Sequence, residues 1–129
     1  MYKLEFKGYR IREIHFHNMP DAPNFQMEHT CNYQVQYGAD NRCNAEMTVE
    51  CHRKDCPEQF SLRMVIVGFF SWQGDREKPQ LHADTFRELY PYARAAVSNL
   101  TVTAGLPPII LPAIDIESQA IYRIENQPK

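Results

Sequence analysis

The stretch PYARAAVSNLTVTAGLPPIILPAID, residues 91–115, decides how the rest of the chain is read. Pro91 suits the first turn of a helix, because the N–H it lacks would be unpaired there in any case. Ala93, Ala96, Val97 and Leu100 follow at helical spacing and make one apolar stripe. The spacing predicts a helix from about Tyr90 to Ala104. Gly105 is its stop, a residue that takes the left-handed conformation after a last turn at no steric cost. Leu106-Pro107-Pro108-Ile109-Ile110-Leu111-Pro112 cannot continue the helix, because three prolines fix φ and remove three donors. An extended apolar segment of this kind must pack against something or be packed upon. Asp115 can then cap a last helix of roughly three turns, with Ile116, Ala120, Ile121 and Ile124 as its stripe. So short a helix needs a platform.

The platform lies upstream and consists of strands. From Tyr2 to Phe16 the apolar residues alternate in three blocks, Tyr2/Leu4/Phe6, Tyr9/Ile11 and Ile14/Phe16. The phase slips near Gly8 and near Arg12-Glu13, and a bulge at each is the economical explanation. Residues 18–29 read as a polar crossover with two apolar exceptions, Phe25 and Met27, pinned into a core or left for a ligand. Cys31, Tyr33, Val35 and Tyr37 alternate with polar residues, as do Cys43, Ala45, Met47, Val49 and Cys51. Gly38-Ala39-Asp40-Asn41 is turn chemistry, so the two runs make a hairpin. Phe60 to Trp72 begins one-sided and becomes apolar on both faces, as a central strand or one at a subunit interface would. Trp72 to Leu81 reads as a charged loop. His82 to Tyr90 can hold a short helical turn of its own, capped by Asp84 or Thr85. Strands first and helices last argue against βαβ units. The expected fold is α+β, a four-stranded antiparallel sheet with two C-terminal helices packed on one side, in a single domain over residues 1–129.

Composition narrows the function classes. The 129 residues carry a net charge of −2 with mixed signs and no Lys/Arg cluster, so no nucleic-acid surface is expected. No run approaches the length of a membrane span, and Met1 to Phe6 lacks the apolar core of a signal peptide, so the expectation is a cytoplasmic protein. Cys31, Cys43, Cys51 and Cys56 form no C-x-x-C pair. Their placing favours buried or partly buried thiols over zinc or a disulfide. His15 and His17 share a strand face without a third ligand in view, so no metal and no cofactor are expected. There is no nucleophile elbow, phosphate-cradling loop or H-E-x-x-H, and enzymatic chemistry finds no support.

Three motifs, in order, resemble the SecB family of protein-export chaperones. They are Arg10-Ile11 and Ile14-His15-Phe16 followed by Pro20-Asp21-Ala22-Pro23; Gly68-x-Phe70 after an apolar run; and Pro91-Tyr92-Ala93-Arg94 with Gly105, the Pro-containing linker and the segment from Asp115. The resemblance spans about Tyr9 to Ile124. It implies an ATP-independent holdase for unfolded or precursor polypeptides, assembled as a dimer or dimer of dimers. It places the client groove between the crossover loop and the last helix. Candidate groove residues are Phe25 and Met27, Tyr33, Val35 and Tyr37, Leu106, Ile109 and Ile110, and Ile116 and Ile121; core packing is the competing reading for each. Such a groove takes many apolar sequences at little cost in specificity. The family also docks the SecA translocase motor on an acidic sheet face. The matching positions here are Glu13, His17, Ser61 and Arg63, where one carboxylate is kept and one charge is reversed, and no acidic tail follows the last helix. Docking of SecA is therefore doubtful, and a chaperone dedicated to an antitoxin is the alternative. A binding or structural domain on the same scaffold is the reading outside that class.

Overall fold

The structure, a computed structural model, describes residues 1–19, 27–54 and 57–116. Strands β1 (Lys3–Asn18), β2 (Met27–Tyr37), β3 (Arg42–Arg53) and β4 (Phe60–Gln73) pair antiparallel in the order β1-β4-β3-β2. A 3-10 turn, Pro57–Gln59, leads into β4. Helix α1 (Lys78–Thr103) lies across one face of the sheet. The α+β architecture read from the sequence is the one observed, with β4 as a central strand. The second helix expected from Asp115 falls outside the described residues.

β1 shows what the two phase slips do. Its register with β4 shifts between Phe6 and Tyr9 and again between Ile11 and Glu13. Gly8 takes φ 115° at the first shift, a conformation that favours glycine. Each shift restores the phase. Tyr9, Ile11, Ile14 and Phe16 then stand opposite Gly68, Ile66, Met64 and Leu62, on the face that carries α1. Without the bulges, half of these side chains would point to the polar face. At the other edge, β2 and β3 pair one to one from Met27↔Arg53 to Tyr37↔Cys43. Their turn places Asp40 and Asn41 at positive φ, which these two residues tolerate best among those with side chains. The pairing extends the hairpin beyond its alternating runs, so Met27 is the first residue of β2 and not part of a loop.

The helix corrects the reading of residues 72–104. It starts at Lys78, Pro79 is the proline of its first turn, and Pro91 sits inside it. An interior proline costs a hydrogen bond and a steric clash, roughly 3 kcal/mol. Continuous burial outweighs that. Leu81, Thr85, Leu89, Ala93, Val97 and Thr101 recur every four residues and all are buried. The expected turn at His82–Tyr90 is thus the first half of α1. The stop is as expected: Gly105, at φ 88°, donates to the Val102 carbonyl and Leu106 N–H donates to that of Thr101, the paired bonds that close a helix on glycine.

Cys43 and Cys51 lie in the core as thiols. Burial pushes both up to about 11, from an ordinary value of 9.0. Folding therefore favours the neutral thiols. Their contribution is intact below pH 9.0, where the unfolded chain keeps its protons, and is lost as pH rises toward 11. At pH 8 neither thiol is expected to react with Ellman's reagent until denaturant is added; rapid reaction of both in native protein would put them outside the core. Cys56 lies outside the described residues.

Candidate functional site

The candidate groove residues separate into two groups. Tyr33 belongs to the core, and the reading that gave it to a groove is corrected. Its ring is buried, stands edge-on to His82 and Phe86, and its hydroxyl is 2.5 Å from Thr85 Oγ1. α1 covers it completely, because the helix stripe needs a platform and Tyr33 supplies part of it. Tyr37 is half-buried and anchors the start of α1: its hydroxyl donates to the Lys78 carbonyl at 3.3 Å, and the Lys78 ammonium lies over its ring. Val35 and Met27 are half-buried against the core. Ile116 is buried as well, so in this conformation it offers no surface to a ligand. Phe25 and Ile121 lie outside the described residues.

The linker forms the second group. Residues 107–115 run without regular structure, as three prolines dictate. Leu106 and Ile109 are half-buried against the core, while Ile110 is 65 % exposed and Leu111 only 2 %. Period-2 alternation in an extended chain accounts for Ile110 and Leu111 pointing opposite ways. α1 holds this segment through side chains. Arg94 Nε donates to the Leu111 carbonyl at 3.0 Å, and the Tyr90 hydroxyl donates to that of Pro112 at 2.6 Å. Ile109 N–H donates to Thr101 Oγ1 at 3.0 Å.

Between this linker and the start of β2 lies a cleft of about 290 Å³, lined by His29, Thr30, Cys31, Val49, Tyr90 and residues 111–114. It is at the low end of the size range of small-molecule sites. That suits one or two apolar side chains of a longer ligand. At its rim His29 Nδ1 is 3.4 Å from Cys51 Sγ. Burial pushes the Tyr90 hydroxyl up to about 12, which keeps it a donor to Pro112 across the ordinary pH range. Leu111, Ile114, Tyr90, Cys31 and Val49 were missed as lining residues. The alternation in β2, β3 and the linker places three of them, Cys31, Val49 and Leu111, on inward faces, but nothing in the pattern shows that those faces meet. Among the described residues, no three His, Cys, Asp or Glu side chains are placed to hold a metal.

The opposite face of the sheet is polar at its Ser61 end and carries the buried Val65 and Val67 beyond it. It brings together Glu13, His17, Ser61 and Arg63, with His17 directly opposite Ser61 and His15 opposite Arg63. The charges there are paired with each other. Arg63 reaches Glu13 at 2.9 Å and Glu50 at 3.8 Å, His15 lies 3.3 Å from Glu13, and Arg12 meets Glu46 at 2.5 Å. Over residues 8–129 the chain matches the family described as preprotein translocase subunit SecB. The chain belongs to the SecB family. Among curated SecB-family relatives, it is 29 % identical to the protein-export protein SecB of a Ruegeria species, covering 95 % of this chain and 82 % of that one. It is 27 % identical to that of a Bradyrhizobium species, covering 91 % and 79 %. Its fold is similar to that of the SecB-like chaperone of Mycobacterium tuberculosis solved with a ChAD peptide from the HigA1 antitoxin. The TM-score is 0.69 at 17 % identity, covering 87 % of this chain and 88 % of that one. No helix among the described residues is long and apolar enough to cross a membrane.

Proposed function

We propose that this protein is an ATP-independent holdase that keeps unfolded or precursor polypeptides from aggregating, as in protein export, by holding apolar side chains in the cleft between β2 and the linker. The observation that carries the proposal is the position of the cleft. It lies at the start of the terminal strand of the sheet, and no strand pairs with the outer side of β2 among the described residues. β2 is in unbroken register for 11 residues. Such an edge can add an extended chain through main-chain hydrogen bonds while neighbouring pockets take alternate side chains. This recognition reads little sequence, which is what a client of no fixed sequence requires.

Self-assembly is part of the same proposal. Tyr9, Ile11 and Ile14 stand on the α1 side of β1 and are 38 to 46 % exposed, although the exposed Tyr92 of α1 packs on Tyr9. A second copy would cover them and bring several clefts to one client, giving avidity from weak sites. We place the protein in the cytoplasm, acting without nucleic acid, cofactor or membrane insertion. A self-paired polar face gives a charged partner such as SecA little to steer on. That favours the second reading, a chaperone dedicated to an antitoxin, to which the peptide-bound mycobacterial neighbour also lends support.

Aggregation suppression tests the proposal. A denatured, slow-folding client is diluted into buffer without ATP, and light scattering is followed. The native protein is expected to suppress scattering near stoichiometry. Ala113→Asp, at an exposed position on the cleft wall, is expected to lose most of that suppression while keeping its circular dichroism. Suppression by both proteins alike would move the site away from the cleft. No suppression of several unrelated clients would leave the dedicated-client reading and a non-chaperone domain, which a pull-down separates.

A further inference from the structure

We infer that Tyr90 and Arg94 are positioning residues that latch residues 109–114 onto α1 as a strap, and that release of this strap widens the cleft for an incoming chain. The identity of the incoming chain rests on the holdase reading; the latch itself does not. Leu111 is buried in the core, but the strap's backbone has few other bonds. Pro112 cannot donate, and among the described residues the strap donates one backbone hydrogen bond, from Ile109 N–H to the Thr101 side chain. Thr101 Oγ1 is itself fixed by donating back to the helix carbonyl of Val97 or Ser98. The carbonyls of Leu111 and Pro112 are taken by Arg94 and Tyr90. Three side chains on α1 thus do the work that a strand ladder does elsewhere in this fold, and side-chain bonds can be broken one at a time.

Tyr90 also joins the latch to the cleft. Its ring stacks on Phe86 at 4.9 Å and lines the cleft, while its hydroxyl grips the far wall at Pro112. The Arg94 guanidinium lies 5.9 Å from the centre of the same ring. A ligand side chain entering the cleft meets Leu111 and Ile114 of the strap on one side and Tyr90 on the other. Room for a second side chain comes from moving the strap, because β2, β3 and α1 are fixed by the core. A binding-competent state populated only in part weakens apparent affinity by that fraction, and loosening the latch restores it.

The test uses the full chain with Tyr90→Phe, which removes one hydroxyl, and the double variant Tyr90→Phe/Arg94→Gln. Amide hydrogen exchange is read at Ile109, the strap amide bonded to Thr101, with β4 amides as the control for folding. Reduced, carboxymethylated α-lactalbumin serves as the unfolded probe and anilinonaphthalene sulfonate as a small apolar one. Exchange at Ile109 is expected to rise about fivefold in the single variant, the factor carried by one net hydrogen bond. A larger rise is expected in the double variant, with β4 unchanged. Both probes are expected to bind several-fold more tightly. Strap exchange at the native rate in the double variant would overturn the latch. Faster strap exchange with unchanged or weaker binding of both probes would overturn its gating role and make the strap a fixed wall. If α-lactalbumin binds none of the proteins, the holdase reading fails; exchange and the small probe then decide the latch by themselves.

Discussion

Gly68→Val is expected to lower the free energy of unfolding by about 3 kcal/mol, the upper part of the range for overpacking a tight core. The direction is not obvious from the sequence. Val is a better strand residue than Gly, and on a central strand the preference alone favours the substitution by up to about 1 kcal/mol. Space decides against it. A Cβ at Gly68 would lie 3.0 Å from Leu89 Cδ1 and 3.0 Å from Phe70 Cε2, and 3.3 Å from Leu89 Cδ2. Gly68 stands beside Ala45 on β3, so a row of small residues lies where Leu89 of α1 comes down on the sheet. Ala at this position requires a shift of a few tenths of an ångström and is expected to cost about 1 kcal/mol. Val adds two more carbons to a site with no room for the first. Urea unfolding followed by circular dichroism measures the loss. A double-mutant cycle with Leu89→Ala locates it, because the two substitutions should be less damaging together than their sum by at least about 1 kcal/mol. An additive pair would mean that the strain lies elsewhere.

The same position shows what the sequence makes legible and what it does not. Alternation in Phe60–Phe70 puts Gly68 on the helix-facing side, and alternation elsewhere gives four strands, two bulges and a hairpin turn. These features follow from period 2, which each strand carries within itself. Where α1 crosses the sheet is not encoded in any one element. Leu4 and Phe6 carry the same pattern as Tyr9 and Ile11, yet the first two are half-buried and the second two are exposed, a difference made by tertiary packing and not by the period. Tyr33 and Tyr37 likewise read as one aromatic row, but Tyr33 is sealed under α1 while Tyr37 anchors the helix start. The helix start itself was obscured by two prolines of equal local merit. Pro79 takes the first turn and Pro91 is tolerated inside, a choice made by the buried four-residue stripe from Leu81 to Thr101. The cleft was legible only as separate walls, since β2, Val49, Tyr90 and the linker meet through tertiary packing.

Replacing Ile11 and Ile14 together by Asp is expected to convert the proposed dimer to monomer, as measured by light scattering after size exclusion. The two side chains face the α1 side of β1, opposite Ile66 and Met64, but the helix leaves them exposed. Tyr92 of α1 closes one end of this surface by packing on Tyr9 at 4.9 Å and Phe6 at 5.4 Å. A contiguous apolar surface at a sheet edge invites association. The edge discourages association by ladder pairing, with two bulges and with Lys7, Arg10 and Arg12 along it. The proposed association of two copies therefore uses the faces. In a two-fold interface each substitution counts twice. Removing four Ile side chains, each worth about 1.5–3 kcal/mol when fully buried, exceeds about 4 kcal/mol even at partial burial. That is a loss of roughly a thousandfold in dimer affinity. Folding of the protomer should survive, because neither side chain belongs to the buried core. A monomeric variant with a native urea midpoint would then hold clients less tightly through lost avidity, although its cleft is untouched. If the variant keeps the native oligomer size, the β1 face is not the interface. If it dissociates and unfolds together, the protomer depends on its partner for stability, and the exposed face is part of a core that only the assembly completes.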